Sequence, residues 1–279
     1  MNGMQKLILF TDLDGTLLDL HTYSFEKSLP GLGLLRQKNV PLVFCSSKTR
    51  MEIEWYRQKL DNQHPFIAET GGGIYIPREY FSCAIDIPGC SCEVVQEYLR
   101  ISLGERYAVL RSALKDLQRR GFKVTGFGDM AVEELMKITG LSREEAAMSQ
   151  AREFDEPFLF EGSEKDRHRL CAAISGKGLR CAQGRFFHIT GNSDKGRAVA
   201  LLIQLYRRQF GEVMTVAVGD RLTDLPMLEQ VDYPCLVQKP DGSYESGIDI
   251  ANLIKAGDIG PAGWTKAIGR VFALIEGRG

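Results

Sequence analysis

Hydrophobic and polar positions follow two textures along this chain. Leu7-Ile8-Leu9-Phe10 is an apolar run of strand length, and it stops at the polar segment Thr11-Asp12-Leu13-Asp14-Gly15-Thr16. That pattern predicts a buried strand ending in a turn. A second apolar run over residues 40–45 is bounded by Pro41 and by Ser46-Ser47. Helical spacing occurs near 32–38 and again over 51–60, where Thr49 stands in the position of an N-cap. Phe66-Ile67-Ala68 predicts a short third strand, which Gly71-Gly72-Gly73 turns into Ile74-Tyr75-Ile76. Strands alternating with helices in this way predict parallel pairing in an α/β sheet.

From about residue 85 to 183 the pattern changes to long helical stretches with scattered strands. Helices are predicted over 98–119, closed by Arg120-Gly121, and over 132–137 and 143–151. Strands are predicted at 123–125, 158–160 and 179–181. The first texture then returns with an apolar strand at 186–190, a helix over 195–209, a strand at 213–218 and a helix from Asp224. The expected organisation is a discontinuous parallel-sheet core, residues 1–86 and 185–279, interrupted by an α+β domain at 87–184. Hinges are expected near Pro88-Gly89 and Gln183-Gly184.

Composition narrows the function classes without choosing one. Lys+Arg is 35 and Asp+Glu is 36, a formal net charge of -1, so nothing points to nucleic acid or an anionic membrane surface. No apolar run reaches the ~18 residues of a membrane helix, and the N-terminus reads as a strand rather than a signal segment. The cysteines number 7, and Cys90 and Cys92 are too close together for a CxxC zinc pair. They read as free thiols in a reducing compartment, hence a cytoplasmic protein.

Four segments carry candidate chemistry. Asp12 and Asp14, spaced i, i+2, point to one side of an extended backbone, where two carboxylates repel unless a cation lies between them. A hard divalent ion such as Mg²⁺ suits such oxygen ligands. Ser46-Ser47-Lys48 follows the second strand directly, and a hydroxyl with backbone N–H groups there can hold a phosphate oxygen, although Ser46 by itself equally suits an N-cap. Lys195 begins a helix, the wrong end for the helix dipole; an anion nearby accounts for it, as does plain solvation. Gly219-Asp220-Arg221-Leu222-Thr223-Asp224 places two more carboxylates after an apolar strand. All four segments fall at predicted carboxyl ends of parallel strands, where an open α/β sheet binds its ligands, and together they point to a catalytic site.

This set of motifs resembles the haloacid dehalogenase-like phosphatase superfamily. Because the insertion separates the second motif from the third, the chain is similar to the subgroup with a large α+β cap on a Rossmann-like core. Further segments are similar to phosphatases of glycosyl-phosphoglycerates: Ser46-Ser47-Lys48-Thr49-Arg50 with Glu52, Glu69-Thr70-Gly71-Gly72, Val132-Glu133-Glu134-Leu135, Arg152-Glu153-Phe154-Asp155-Glu156-Pro157-Phe158, and Arg185-Phe186-Phe187-His188. The sequence departs from that pattern at Thr70 and Thr223, where relatives often carry Asn.

The resemblance implies a hydrolase in which Asp12 is the nucleophile and Asp14 the general acid and base. It implies Mg²⁺ held by Asp12, the Asp14 carbonyl, Asp220 and Asp224, and phosphate held by Ser46, Ser47 and Lys195. The substrate is then a small phosphorylated glycosyl-glycerate met by a monomer or homodimer, with Lys48, Arg50, Arg152, Glu156 and His188 as substrate-binding candidates. Arg50 and Glu156 equally suit solvated charges, His188 suits a core position, and Phe154 and Phe158 suit packing. A general sugar-phosphate phosphatase, a phosphomutase and a phospho-ligand sensor are the competing classes. Intact Asp14 speaks against the sensor, because binding alone needs no general acid.

Overall fold

The structure, a computed structural model, describes residues 5–277 apart from 86 and 88. The first part of the core runs β1 (Lys6–Thr11), α1 (Leu29–Gln37), β2 (Leu42–Cys45), α2 (Arg50–Lys59), β3 (Phe66–Ala68), β4 (Gly73–Pro77), β5 (Ser91–Val95) and β6 (Tyr98–Ser102). The insertion follows as α3 (Tyr107–Arg119), β7 (Val124–Gly126), α4 (Val132–Thr139), α5 (Arg143–Gln150), β8 (Asp155–Phe160), α6 (Glu164–Ser175), β9 (Arg180–Gln183) and β10 (Phe187–Thr190). The core resumes with α7 (Lys195–Phe210), β11 (Val213–Gly219), α8 (Leu225–Leu228), β12 (Tyr233–Gln238), β13 (Ile254–Ile259) and α9 (Gly260–Glu276).

Nine strands form the core sheet in the order β13-β12-β11-β1-β2-β3-β4-β6-β5. Pairing is parallel from β13 to β3 and antiparallel beyond it. The period of two along β1 explains the layers. Leu7 and Leu9 pack with Leu32, Leu35, Trp264 and Ile268 of α1 and α9, whereas Ile8 and Phe10 pack with Ala198, Leu202 and Leu228 of α7 and α8. Burial on both faces is why β1 reads as a continuous apolar run. Trp264 is fully buried and donates from Nε1 to Thr11 Oγ1 at 3.0 Å, which anchors α9 at the end of β1.

The insertion is a four-stranded antiparallel sheet, β7-β8-β10-β9, with α3 and α6 on one face. Leu110, Leu114, Phe158, Leu170, Ile174 and Ile189 make its own core. Among the described residues no helix is long and apolar enough to cross a membrane.

Several sequence expectations need correction. Residues 98–102 are not helix: β6 pairs with both β4 and β5, and the helix begins only at Tyr107. Sheet partners decide such a short apolar stretch, and periodicity cannot see them. The strand predicted at 186–190 exists, but it lies between β8 and β9 in the small sheet rather than in the core. The insertion therefore runs from after Ser102 to Thr190, against the expected 87–184. Gln183 is inside β9 and Gly184 turns into β10, so that position is an internal turn rather than a hinge. The expected hinge residue Pro88 lies outside the described residues. Cys171 and Cys181, expected as free thiols, are joined by a disulfide with a Cα–Cα distance of 5.3 Å, because α6 packs beside β9.

Thr70 adopts φ 55, ψ 41 in the turn after β3. A β-branched residue is strained in this left-handed region, and after glycine Asn is the residue most at ease there. Thr70→Asn is therefore expected to stabilise the protein by about 1 kcal/mol. Urea unfolding should show a raised midpoint at unchanged slope; an unmoved midpoint would mean that the turn holds no releasable strain.

Candidate active site

The site forms where β1, β2 and β11 end together. Thr11 pairs with Val218 on one side and Phe44 on the other, so Asp12 leaves β1 level with Gly219, one residue before Asp220. The Asp12 N–H donates to the Val218 carbonyl at 3.0 Å, continuing the ladder for one more residue. The turn after Asp14 is closed by the Gly15 N–H on the Leu18 carbonyl at 2.9 Å. Gly15 has φ +85, and a Cβ there would stand 2.7 Å from Asp220 Oδ2. Only glycine lets the turn lie this close to the second acidic loop. Thr16 Oγ1 donates to Asp220 Oδ1 at 3.2 Å across the same junction.

Asp12, Asp220 and Asp224 are buried and bring carboxylate oxygens within 4.8 Å of one another. Lys195 Nζ lies 2.6 Å from both Asp12 Oδ1 and Asp224 Oδ1, with its side chain 2% exposed. Arg221 Nε reaches Asp220 Oδ2 at 3.1 Å. Asp224 Oδ2 accepts the N–H groups of Asp220 and Arg221 at 3.0 and 3.2 Å, so this residue both shapes the loop and meets the lysine. Burial pushes the Asp12 carboxyl up to about 8; Lys195 opposes the shift, and Asp224 and Asp220 add to it. Burial likewise pushes Asp220 up to about 6, with Asp224 adding. Burial works against the charge on Lys195, but Asp12 and Asp224 outweigh it and hold the ammonium above its ordinary pKa. Three buried carboxylates against one buried ammonium leave a surplus of negative charge, and an all-oxygen donor set of this kind fits a hard divalent cation. The Asp14 carboxylate is outside this trio.

Asp14 points elsewhere. Its Oδ2 lies 3.0 Å from Lys48 Nζ, while its Oδ1 is buried without a hydrogen-bond partner. An orphaned carboxylate oxygen beside the acidic trio is an atom waiting for a ligand. Lys48 is itself held 3.6 Å from Glu52, and Glu52 closes a capping box with Thr49. Ser46 is buried at the end of β2: its N–H donates to the Ile67 carbonyl at 3.0 Å and its own carbonyl accepts from Thr70 at 2.9 Å. Ser47 is exposed on the same loop. Gly71, with φ +87, has no room for a Cβ because the Asp194 backbone lies against it. That contact seats the loop leading into Lys195 against the turn after β3.

The insertion reaches this loop from above. Arg152 donates to the Ser47 carbonyl at 2.9 Å and to the Ser149 carbonyl at 2.8 Å, and lies 3.3 Å from Asp155. Thr49 Oγ1 donates to the Met148 carbonyl at 2.9 Å. His188 is half-buried, with Nδ1 2.9 Å from Asp155, so it belongs to the same chain of contacts rather than to the enclosed core. Arg50 and Glu156 do not converge here. Arg50 bonds Glu54, Glu153 and Gln96, and Glu156 is buried on the α3 side of the small sheet against Arg111 and the Gly128 N–H. Phe154 and Phe158 are both buried packing residues. Sequence reasoning gave no role to Glu69. Its carboxylate accepts the N–H groups of Glu153 and Phe154 at 2.9 and 2.8 Å, while its own N–H donates to the Lys48 carbonyl at 3.0 Å. Burial pushes this carboxyl up to about 8 against the pull of Arg152. The signals were an acidic residue in a glycine-rich turn and the place of Glu69-Thr70-Gly71-Gly72 among the segments of the family resemblance.

Comparison with known proteins agrees with this geometry. Residues 9–101 match the haloacid dehalogenase-like hydrolase family. A glucosyl-3-phosphoglycerate/mannosyl-3-phosphoglycerate phosphatase of Methanococcoides burtonii is 46% identical over 94% of this chain and 96% of its own. A phosphatase of the same name from Persephonella marina is 37% identical, covering 97% of this chain and 98% of its own. Among solved structures, a Thermoplasma acidophilum protein aligns with a TM-score of 0.67 at 14% identity, covering 98% of this chain and 99% of its own, a likeness of fold.

If Asp12, Asp220 and Asp224 hold a divalent cation, then Mg²⁺ at ~100 times its Kd should stabilise the folded protein by about 2.7 kcal/mol. Asp220→Asn should weaken Mn²⁺ binding, followed by paramagnetic resonance, by at least about tenfold. Equal Mn²⁺ affinity in the variant and the parent would remove Asp220 from the ligand set.

Proposed function

The chain belongs to the haloacid dehalogenase-like hydrolases and is one of their phosphoric monoester hydrolases, and from that premise we propose that it cleaves the phosphate ester of mannosyl-3-phosphoglycerate or glucosyl-3-phosphoglycerate. The products are the glycosylglycerate, in the mannosyl case mannosylglycerate, a compatible solute, and inorganic phosphate. Two relatives that match nearly the whole chain carry both sugars in one name, which supports a single site serving both.

The observation that carries the chemistry is the unequal pair at the end of β1: Asp12 is gripped by Lys195, whereas Asp14 keeps a buried oxygen without a partner. In the proposed reaction the Asp12 carboxylate attacks phosphorus and the ester C–O oxygen leaves with the glycerate. Asp14 gives that oxygen its proton through the free Oδ1. The resulting aspartyl-phosphate is hydrolysed by a water whose proton returns to Asp14. Lys195 holds the nucleophile in place and faces the charge developing on the phosphoryl oxygens; Ser46, at the neighbouring strand end, donates to another of them. Asp12, Asp220 and Asp224 would hold Mg²⁺, which when bound would supply Lewis-acid stabilisation of that charge. The insertion acts as a cap: its contacts to Ser47 and Thr49 close the site against bulk water.

Asp12→Asn should lower kcat by at least about a thousandfold while leaving the fold intact by circular dichroism; near-parental turnover would remove Asp12 as nucleophile. Phosphate release should favour the two glycosyl-3-phosphoglycerates over free 3-phosphoglycerate and hexose phosphates by at least ~100-fold in kcat/KM, roughly 2.7 kcal/mol of discrimination. A flat profile would leave a general sugar-phosphate phosphatase.

A further inference from the structure

Two consecutive non-glycine residues after β3, Glu69 and Thr70, take the left-handed backbone at φ 49 and 55, and Gly71 follows at φ 87. Strain of this kind persists only where the surroundings over-determine it, and it concentrates at functional sites. This turn is held from three directions. On the side of the phosphate loop, the Thr70 N–H donates to the Ser46 carbonyl at 2.9 Å and the Glu69 N–H to the Lys48 carbonyl at 3.0 Å. On the side of α7, the Asp194 backbone, one residue before Lys195, fills the place where a Cβ on Gly71 would stand. On the side of the cap, the Glu69 carboxylate accepts the N–H groups of Glu153 and Phe154 at 2.9 and 2.8 Å, in a residue only 1% exposed.

The cap meets this turn with a plug. Phe154, the residue before β8, packs in the hydrophobic core of the main domain with Phe66, Ala68 and Tyr75 rather than in the cap's own core. Its socket is lined by glycine: a Cβ on Gly72, Gly73 or Gly104 would stand 2.4, 2.7 or 2.9 Å from Phe154. Gly104 lies in the connection from β6 to α3, and the N–H groups of Leu103 and Gly104 both donate to the Gly72 carbonyl, at 2.9 and 2.8 Å. The outgoing connection of the cap and its docked segment 153–154 therefore meet the core at one place, residues 69–73. An apolar side chain at position 69 would fill the same space without fixing a direction. A carboxylate that receives two adjacent N–H groups fixes the height and direction of the segment carrying them, and its burial is offset only while both are in place.

We propose that Glu69 is a positioning residue for phosphate binding: by docking the 153–154 segment of the cap it holds the strained turn that sets Ser46 and the start of α7 relative to one another. With the segment seated, the turn is held and both phosphate-holding strand ends are in register. With the segment displaced, the turn relaxes and Ser46 and Lys195 lose their common setting. Glu69 does this through backbone groups and touches no substrate. The assignment rests on the reading of Ser46 and Lys195 as phosphate-holding residues, and it is independent of which sugar the substrate carries.

The test is the Kd of inorganic phosphate, measured by titration calorimetry with Mg²⁺ present, for the full-length parent, Glu69→Ala, Glu69→Gln, Phe154→Leu and Ser46→Ala. Misfolded protein lowers the stoichiometry of such a titration and leaves Kd unchanged, so a merely structural role for Glu69 does not move the readout. The expected result is a Kd raised at least about fivefold in Glu69→Ala, the lower end of ordinary coupling between sites. Glu69→Gln, which keeps one acceptor oxygen, should fall between Glu69→Ala and the parent. Phe154→Leu should raise Kd from the cap side of the same joint. If Glu69→Ala gives no folded protein, Phe154→Leu decides. A Kd equal to the parent's in the deciding variant, with Ser46→Ala weakened, overturns the coupling and leaves Glu69 as a tie between domains. A Kd equal to the parent's in Ser46→Ala overturns the reading of Ser46 instead.

Discussion

The rest of this molecule is arranged around one electrostatic problem: three buried carboxylates at the joint end of β1 and β11. Their carboxylate oxygens all lie within 4.8 Å of one another, so each pair of ionised groups repels by at least roughly 3.5 kcal/mol at an effective dielectric of ~20. Lys195 answers part of that repulsion by lying 2.6 Å from two of them, Arg221 meets the third at 3.1 Å, and the rest is left for a divalent ion. The surrounding fold keeps water from doing the same work. Trp264 fills the space behind Thr11, the Gly15 turn lies against Asp220, and α7 carries Lys195 into the interior. A site that repels itself when empty discriminates in favour of ligands that bring positive charge, or that bring phosphate together with positive charge.

The cap is joined to that centre through backbone groups more than through side-chain pairs. Glu69 is the joint: its main chain holds the Lys48 carbonyl, and its carboxylate holds the N–H groups of Glu153 and Phe154. The same turn contains Thr70, whose N–H holds the Ser46 carbonyl from a strained backbone. The phosphate loop and the segment entering β8 are thereby tied to one three-residue turn. A shift of the cap is felt at Ser46 without any long chain of side chains in between. Arg50, bonded to Glu153 beside this joint, fits a part in docking the cap better than contact with substrate.

The core could be read closely from the chain because its strands are buried on both faces. Leu7 to Phe10 and Val213 to Val218 are apolar runs for that reason, and each stops at a pair of aspartates that no buried strand would keep without a use. Thr49 signalled the start of α2 as its N-cap, and the structure adds Glu52 three residues on to close a capping box. The cap could be read less well. Residues 98–102 look equally like helix or strand until β4 and β5 are beside them, and residues 187–190 look like any apolar strand until β8 claims them. The cysteine pairing depended on α6 lying over β9, which no spacing announces.

By itself the sequence determined the α/β core, the insertion in it, the three motifs at parallel-strand ends and hence the class of chemistry, because local period and residue type are set by which groups must be buried and which must stay polar; the Lys195 segment, expected at a fourth such end, instead follows the antiparallel β10 of the small sheet. Only the tertiary structure decided which sheet each short strand joined, that Asp14 keeps one free oxygen while Lys48 holds the other, that Glu156 turns inward to Arg111, and that Tyr23, Trp55 and Glu145 share a cleft. The physical reason is range. Burial patterns repeat every two to four residues and leave a mark in the chain, whereas Glu145 and Trp55 meet through the docking of two domains, and that contact has no period to read.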